Sequence, residues 1–144
     1  MKVKPTQVEI NFIKSHRVAR LATFDKYGIS LVIPICYVFN GKYIYTPLDK
    51  KPKQVPVKEL KRVRNIVENP NISLVIDDYY EDWSRLCFII IKGKASLIYR
   101  GKEYLESLRM LSGKYIQYRE MNLMDLKLPV IKIVPNRIIS WGKI

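Results

Sequence analysis

Short apolar runs of strand character, bounded by turn residues, share this chain with stretches in which apolar residues recur at helical spacing. Thr6-Gln-Val-Glu9, just after Pro5, has the form of a capping box, and Val8, Phe12 and Ile13 follow on one helical face. A short opening helix is predicted over 5–14. Strands begin at Arg17, turn over Asp25 to Gly28, and resume in an apolar run from Ile29 to Phe39. Asn40-Gly41 then predicts a type I′ hairpin turn into Tyr43-Ile-Tyr45, because both residues tolerate the positive φ that this turn demands. Pro34 removes a ladder donor and places its strand at a sheet edge or a bulge.

Val57, Leu60, Val63 and Val67 recur at helical spacing, which predicts a helix from Lys53 to Glu68 that ends at Asn69-Pro70. Ile72 to Asp77 is the next strand, followed by an acidic-aromatic loop from Tyr79 to Ser84. Arg85 to Lys92 and Ala95 to Tyr99 are expected to pair across Gly93-Lys94. A second amphipathic helix turns Tyr104, Leu105, Leu108 and Leu111 inward and stops near Gly113. Residues 115–127 are polar and at most partly helical. Val130 to Val134 and Arg137 to Trp141 supply the last strand or strands, joined across Pro135-Asn136. No repeat or linker interrupts the pattern, so residues 1–144 read as one α+β domain. Six or seven strands with two or three flanking helices are expected to close into a small barrel.

Charge adds a partner to this picture. Lysine and arginine number 26 against 13 acidic residues, and the net charge of +13 calls for an anion: nucleic acid, a membrane surface or a phosphorylated small molecule. Seven basic residues lie between Lys50 and Arg64. Lys58, Lys61 and Arg62 read as a solvated helix face. Lys50, Lys51 and Lys53 differ, because they flank Pro52, a residue suited to the first position of a helix. Lysines at a helix start, where N–H groups point outward, suit a phosphate. Trp83-Ser84-Arg85 is a second candidate, in which the tryptophan either covers the core or walls a flat ring beside an anion clamp.

Other chemistries are disfavoured. His16 is the single histidine, which removes a histidine metal cluster, and its place after the first helix suits a helix-end role. No P-loop or dinucleotide fingerprint is present. Asp77, Asp78, Glu81 and Asp82 lack calcium-loop spacing and read as a solvated acidic loop. Cys36 and Cys87 lie in apolar runs, as buried thiols do. Met1 to Lys14 has no secretory apolar region, and the longest apolar run, Leu86 to Ile91, is too short to span a bilayer. A cytoplasmic location and no membrane partner are expected. Abundant lysine and isoleucine with scarce glutamine match the bias of hyperthermophile proteins.

Several of these segments, in this order, resemble the pyridoxamine-phosphate-oxidase-like, FMN-binding split-barrel superfamily, and within it the deazaflavin-dependent oxidoreductase subgroup. The segments are Arg17-Val-Ala-Arg-Leu-Ala-Thr23 with Gly28, Val32-Ile-Pro-Ile35, Asp49-x-Lys-Pro-Lys53, Asn69-Pro-x-x-Ser-Leu-Val75, Asp78-x-x-x-Asp-Trp-Ser-Arg85, and Pro135-x-Arg137 with Trp141. The resemblance implies a homodimer of six-stranded antiparallel split β-barrels with a cofactor groove at the subunit interface. It implies phosphate held by Lys50, Lys51 and Lys53, with Arg20 as a further contact. Val32, Ile33, Pro34, Ile35, Tyr45 and Thr46 would line the ring, and Trp83 and Arg85 would approach it, from the partner subunit in one arrangement. The implied cofactor is the deazaflavin coenzyme F420, or alternatively FMN, and the implied activity is hydride transfer to a small substrate. No side chain stands out as the proton donor; Tyr45 and Tyr79 are candidates, for which core packing is the simpler reading. The resemblance departs at Leu86-Cys-Phe88, where relatives carry bulkier aromatics, and at the vitamin-binding residues of the oxidase proper, which are not recognisable. Rival readings are a flavin-storage protein of the same fold and a nucleic-acid-binding barrel. The second is weakened because aromatic and basic residues do not interleave.

Overall fold

The computed structural model describes residues 4–48 and 60–144. The opening helix α1 (Gln7–Ser15) starts on the expected capping box: Thr6 Oγ1 accepts from the Glu9 N–H, and Glu9 Oε1 accepts from the Thr6 N–H. Strands β1 (Ala19–Phe24) and β2 (Ser30–Ile35) form a hairpin whose turn is tied by Asp25, with Oδ1 accepting from the Tyr27 and Ile29 N–H groups. Two short strands follow, β3 (Val38–Phe39) and β4 (Ile44–Pro47). Helix α2 (Lys61–Glu68), β5 (Asn71–Asp78), β6 (Cys87–Ile98), α3 (Lys102–Lys114), α4 (Ile116–Glu120) and β7 (Val130–Gly142) complete the chain.

All strand pairs are antiparallel, in one 7-stranded sheet of order β2-β1-β5-β6-β7-β4-β3. The sheet curls on itself into the expected α+β split barrel. Leu21, Leu74, Ile91 and Ile138 occupy matched register positions on its inner face and are all buried. The same alternation puts Arg20, Val75, Ile90 and Ile139 in a row on the outer face. A second apolar cluster lies outside the barrel, where Tyr104, Leu108 and Leu111 of α3 cover Tyr45 of β4 and Val130 of β7.

Five local expectations are corrected. The β3–β4 turn centres on Gly41-Lys42 instead of Asn40-Gly41. Asn40 donates its N–H to the Tyr43 carbonyl, and its side chain accepts from the Lys42 and Tyr43 N–H groups. Gly41 takes a positive φ, +94°, and Asn40 does not, so the type I′ turn expected at Asn40-Gly41 does not form. No hairpin forms at Gly93-Lys94, since β6 runs straight through and pairs along its length with β7. Gly93 is there because the bulged β7 comes close: a Cβ would stand 2.3 Å from the Val134 carbonyl oxygen. The helix expected over 53–68 is not helical at Leu60, which is extended before α2 begins at Lys61; residues 53–59 of that expectation lie outside the described residues. Val67, assigned to that helix's inner face, is 72% exposed, while Val63 and Ile66 are buried. Leu105 of α3 is likewise turned to solvent, because Tyr104, Leu108 and Leu111 already fill the strip that meets the sheet.

Candidate functional site

The ends of the sheet order, β2 on one side and β4 beside short β3 on the other, meet at a seam. A cleft of about 220 Å³ opens there, lined by Val18, Pro34, Ile35, Cys36, Thr46, Pro47, Arg62 and Tyr118. Each element presents something different. Edge strand β2 tolerates Pro34, which has no N–H to pair, and so supplies an apolar rim. β4 contributes the buried Thr46, and the first turn of α2 contributes a cation in Arg62. No acidic residue lies in that first turn, where Lys61 stands 3.9 Å from Asp25 and Arg62 follows it. Apolar walls, a hydroxyl and a guanidinium beside a helix N-terminus form a donor set that fits an anionic ring compound.

Of the expected ring contacts, Pro34, Ile35 and Thr46 come together in this cleft. Ile33 points inward and packs on the core. Val32 stands on the outer face of β2, 61% exposed. Tyr45 is not brought to the cleft. It is buried beneath α3, where its hydroxyl donates to Glu103 Oε2 at 2.6 Å, and burial together with that carboxylate raises its pKa. Lys132 lies 2.8 Å from the same oxygen, and this ammonium is the main cause that holds Glu103 below the usual carboxylate range. The Tyr45 hydroxyl is therefore a structural tie between β4 and α3.

Arg20 lies on the outer face of β1, 3.5 Å from Asp77 on β5. Trp83 and Arg85 sit in a short 3-10 turn between β5 and β6 and are exposed, outside the cleft of their own chain. Arg85 stacks 3.9 Å from the Tyr80 ring centroid, and Trp83 Nε1 donates to the Tyr79 hydroxyl. Lys50, Lys51 and Lys53 lie outside the described residues. Arg62 is the residue that sequence reasoning set aside, with Lys58 and Lys61, as a solvated helix face; Lys61 and Arg64 are exposed, while Arg62 is half-buried. Helical position could not separate it from them; only the approach of β2 and β4 does.

His16 takes the expected helix-end place. Its Nδ1 meets the Phe12 carbonyl at 2.7 Å and its Nε2 meets Asp78 Oδ1 at 2.8 Å. The buried Cys87 thiol faces the other oxygen of Asp78, and burial, then that carboxylate, raise its pKa, so the thiol stays protonated and unreactive. Among the described residues, no helix is long and apolar enough to cross a membrane, and no cluster of His, Cys, Asp and Glu is arranged to hold a metal ion.

Known structures share this architecture. The conserved hypothetical protein Rv2991 from Mycobacterium tuberculosis superposes with a TM-score of 0.77 at 19% identity, over 97% of this chain and 86% of that one. The heme storage protein HutZ from Vibrio cholerae gives 0.71 at 15% identity, over 99% and 96%. A FAD-binding protein from Mesorhizobium loti gives 0.67 at 14% identity, over 94% and 92%. At these identities the likeness speaks for the fold. No curated protein matches the chain. The sequence itself matches the family described as Pyridoxamine 5'-phosphate oxidase from residue 7 to residue 142, nearly its whole length. With the seam, the sheet order and that match in hand, the chain belongs to the pyridoxamine 5'-phosphate oxidase family.

Proposed function

We propose that this protein is a cytoplasmic, homodimeric oxidoreductase that binds a deazaflavin, coenzyme F420, or in its place FMN, at the β2–β4 seam. The observation that carries the reading is the convergence of Pro34, Ile35 and Thr46 with Arg62 of the α2 first turn. Arg62, with Lys50, Lys51 and Lys53, would hold the phosphate, and the rim of β2 would face the ring. When bound, such a cofactor supplies a two-electron hydride to an unsaturated substrate, and a proton from water or an acid completes the reduction. The chain's part is to orient the ring, screen its charge and exclude water.

The size of the cleft and the exposure of the sheet face support the homodimer. The cleft of one chain, about 220 Å³, falls below the ~300–1,000 Å³ of ordinary cofactor pockets, so the ring needs a further wall. The outer sheet face offers one, since Val32 and Trp141 are more than half exposed and Trp141 stacks on Phe88 at 5.5 Å. A second copy seated on that face would bring its Trp83 and Arg85 toward the seam. Heme storage, the role of one structural neighbour, suits these residues less well. The single histidine is committed to Phe12 and Asp78 and is absent from the cleft lining.

The test is titration of the purified protein with F420 and with FMN, followed by absorbance and fluorescence. A dissociation constant of about 10 μM or tighter for one of them is expected. Affinity for neither overturns the reading. The storage rival is separated by turnover: a reduced cofactor that is bound but never reoxidised by any of a panel of enones and quinones favours storage.

A further inference from the structure

Two backbone stretches in the wall of the seam are held by no strand ladder. Val18 lies just before β1 and Cys36 lies between β2 and β3. The β1–β2 pairing ends at Ala19 and Ile35, and the β3–β4 pairing begins at Val38. The neighbours of the two wall residues, Arg17 and Tyr37, carry backbone groups that fix the path of each link, and Tyr37 is fully buried. Buried N–H and carbonyl groups need partners, and strand pairing supplies none at these positions.

A single side chain supplies them. Tyr115, buried between α3 and α4, places its hydroxyl among three backbone groups of the two links. The hydroxyl accepts from the Tyr37 N–H at 3.0 Å. It stands 2.8 Å from the Tyr37 and Arg17 carbonyl oxygens, which share its one proton. Its ring meets the ring of Tyr118 edge-on at 5.3 Å, and Tyr118 is part of the cleft lining. Tyr115 therefore holds the neighbours of Val18 and Cys36 and braces Tyr118, without lining the cleft itself.

A tyrosine that only ties a helix to the sheet looks different. Tyr104 of α3 is such a case: its hydroxyl donates to one carbonyl, that of Leu128, at 2.8 Å, and neither residue lines the cleft. Loss of that bond frees one acceptor. Loss of the Tyr115 hydroxyl strips a buried donor and two carbonyls at the wall of the seam.

We infer that Tyr115 is a positioning residue for the seam: through the Arg17 and Tyr37 backbone it holds Val18 and Cys36 at the spacing that a bound ring needs. The hold on the wall stands on geometry alone, and its service to a ring rests on the cofactor reading proposed above.

Tyr115→Phe keeps the ring and removes the hydroxyl, and Tyr104→Phe is the control for a lost tyrosine–carbonyl bond. Alkylation of Cys36 by iodoacetamide, followed by peptide mass spectrometry, reports on the wall, since Cys36 lines the cleft while Cys87 is buried. Tyr115→Phe is expected to speed it about fivefold or more, and Tyr104→Phe to stay within about twofold. Fluorescence titration with F420 and with FMN reports on the ring. Tyr115→Phe is expected to weaken whichever of them the native protein binds about tenfold, and Tyr104→Phe by no more than about twofold. A merely structural role lowers stability in both variants and separates them in neither readout.

Equal Cys36 rates in the two variants overturn the inference, as does an affinity that falls equally in both or in neither. A native protein that binds neither cofactor, with Cys36 exposed by Tyr115→Phe alone, keeps Tyr115 as the holder of the wall and loses the oxidoreductase reading. Should Tyr115→Phe fail to fold, hydrogen exchange of the Tyr37 amide is followed in the native protein. Slowing by about tenfold or more under bound F420 or FMN supports the coupling, and no change overturns it.

Discussion

Replacing Gly93 with alanine adds one methyl group where β6 passes the bulge of β7. The added Cβ would stand 2.3 Å from the Val134 carbonyl oxygen, 3.0 Å from its carbon and 3.1 Å from the Pro135 Cα. All three are backbone atoms of a strand paired on both sides, so no side-chain rotation relieves the clash. The Gly93 φ is not in the left-handed region, so the penalty is steric and not conformational. Separating the strands toward ordinary contact, about 3.4 Å or more, strains the ladder, and overpacking of this kind costs about 2–4 kcal/mol. In a chain of this length that corresponds to a melting temperature lower by about 10 °C. Urea denaturation followed by far-ultraviolet circular dichroism measures the loss. Gly113→Ala is the matched control: its Cβ meets nothing within 4 Å and its residue is helical, so it is expected to stabilise by up to about 1 kcal/mol. Equal effects of the two substitutions would refute the close approach of β7 and the bulge with it.

Arg62→Gln is expected to weaken F420 or FMN binding about 10- to 100-fold, as loss of a charge-assisted contact does, with Lys61→Gln, whose ammonium faces Asp25, changing it about twofold at most; fluorescence titration reads both. Val32→Lys, on the outer sheet face, should shift sedimentation from dimer to monomer and leave the melting temperature of the monomer within about 3 °C. Tyr45→Phe removes the tie to Glu103 and should cost about 1–2 kcal/mol in urea without altering cofactor affinity. Because Lys114 binds its proton less tightly when folded, the unfolded chain holds more protons between pH 8 and pH 10, and stability should rise with pH there, by about 1 kcal/mol after allowance for solvent screening. Lys114→Met should flatten that rise. Tyr115, pushed up to about 12 by burial, acts in the opposite sense only above pH 10.

The α+β barrel was legible in the sequence because alternation, capping and turn chemistry are local. Thr6 and Glu9 specify the start of α1, and Pro34 places β2 at an edge; each effect acts within a few residues. The antiparallel register on both faces follows from the same alternation. What could not be read is what depends on approach between distant segments. Gly93 looks like a turn residue until β7 is seen to press on it. Tyr45 looks like a ring contact until α3 covers it. Arg62 is one basic residue among many in its stretch, and only closure of the seam between β2 and β4 gives it a cleft to face. Periodicity determines which side of an element is buried; the tertiary structure alone decides what meets the side left over, because that contact is set by packing across the barrel and not by neighbours in the chain.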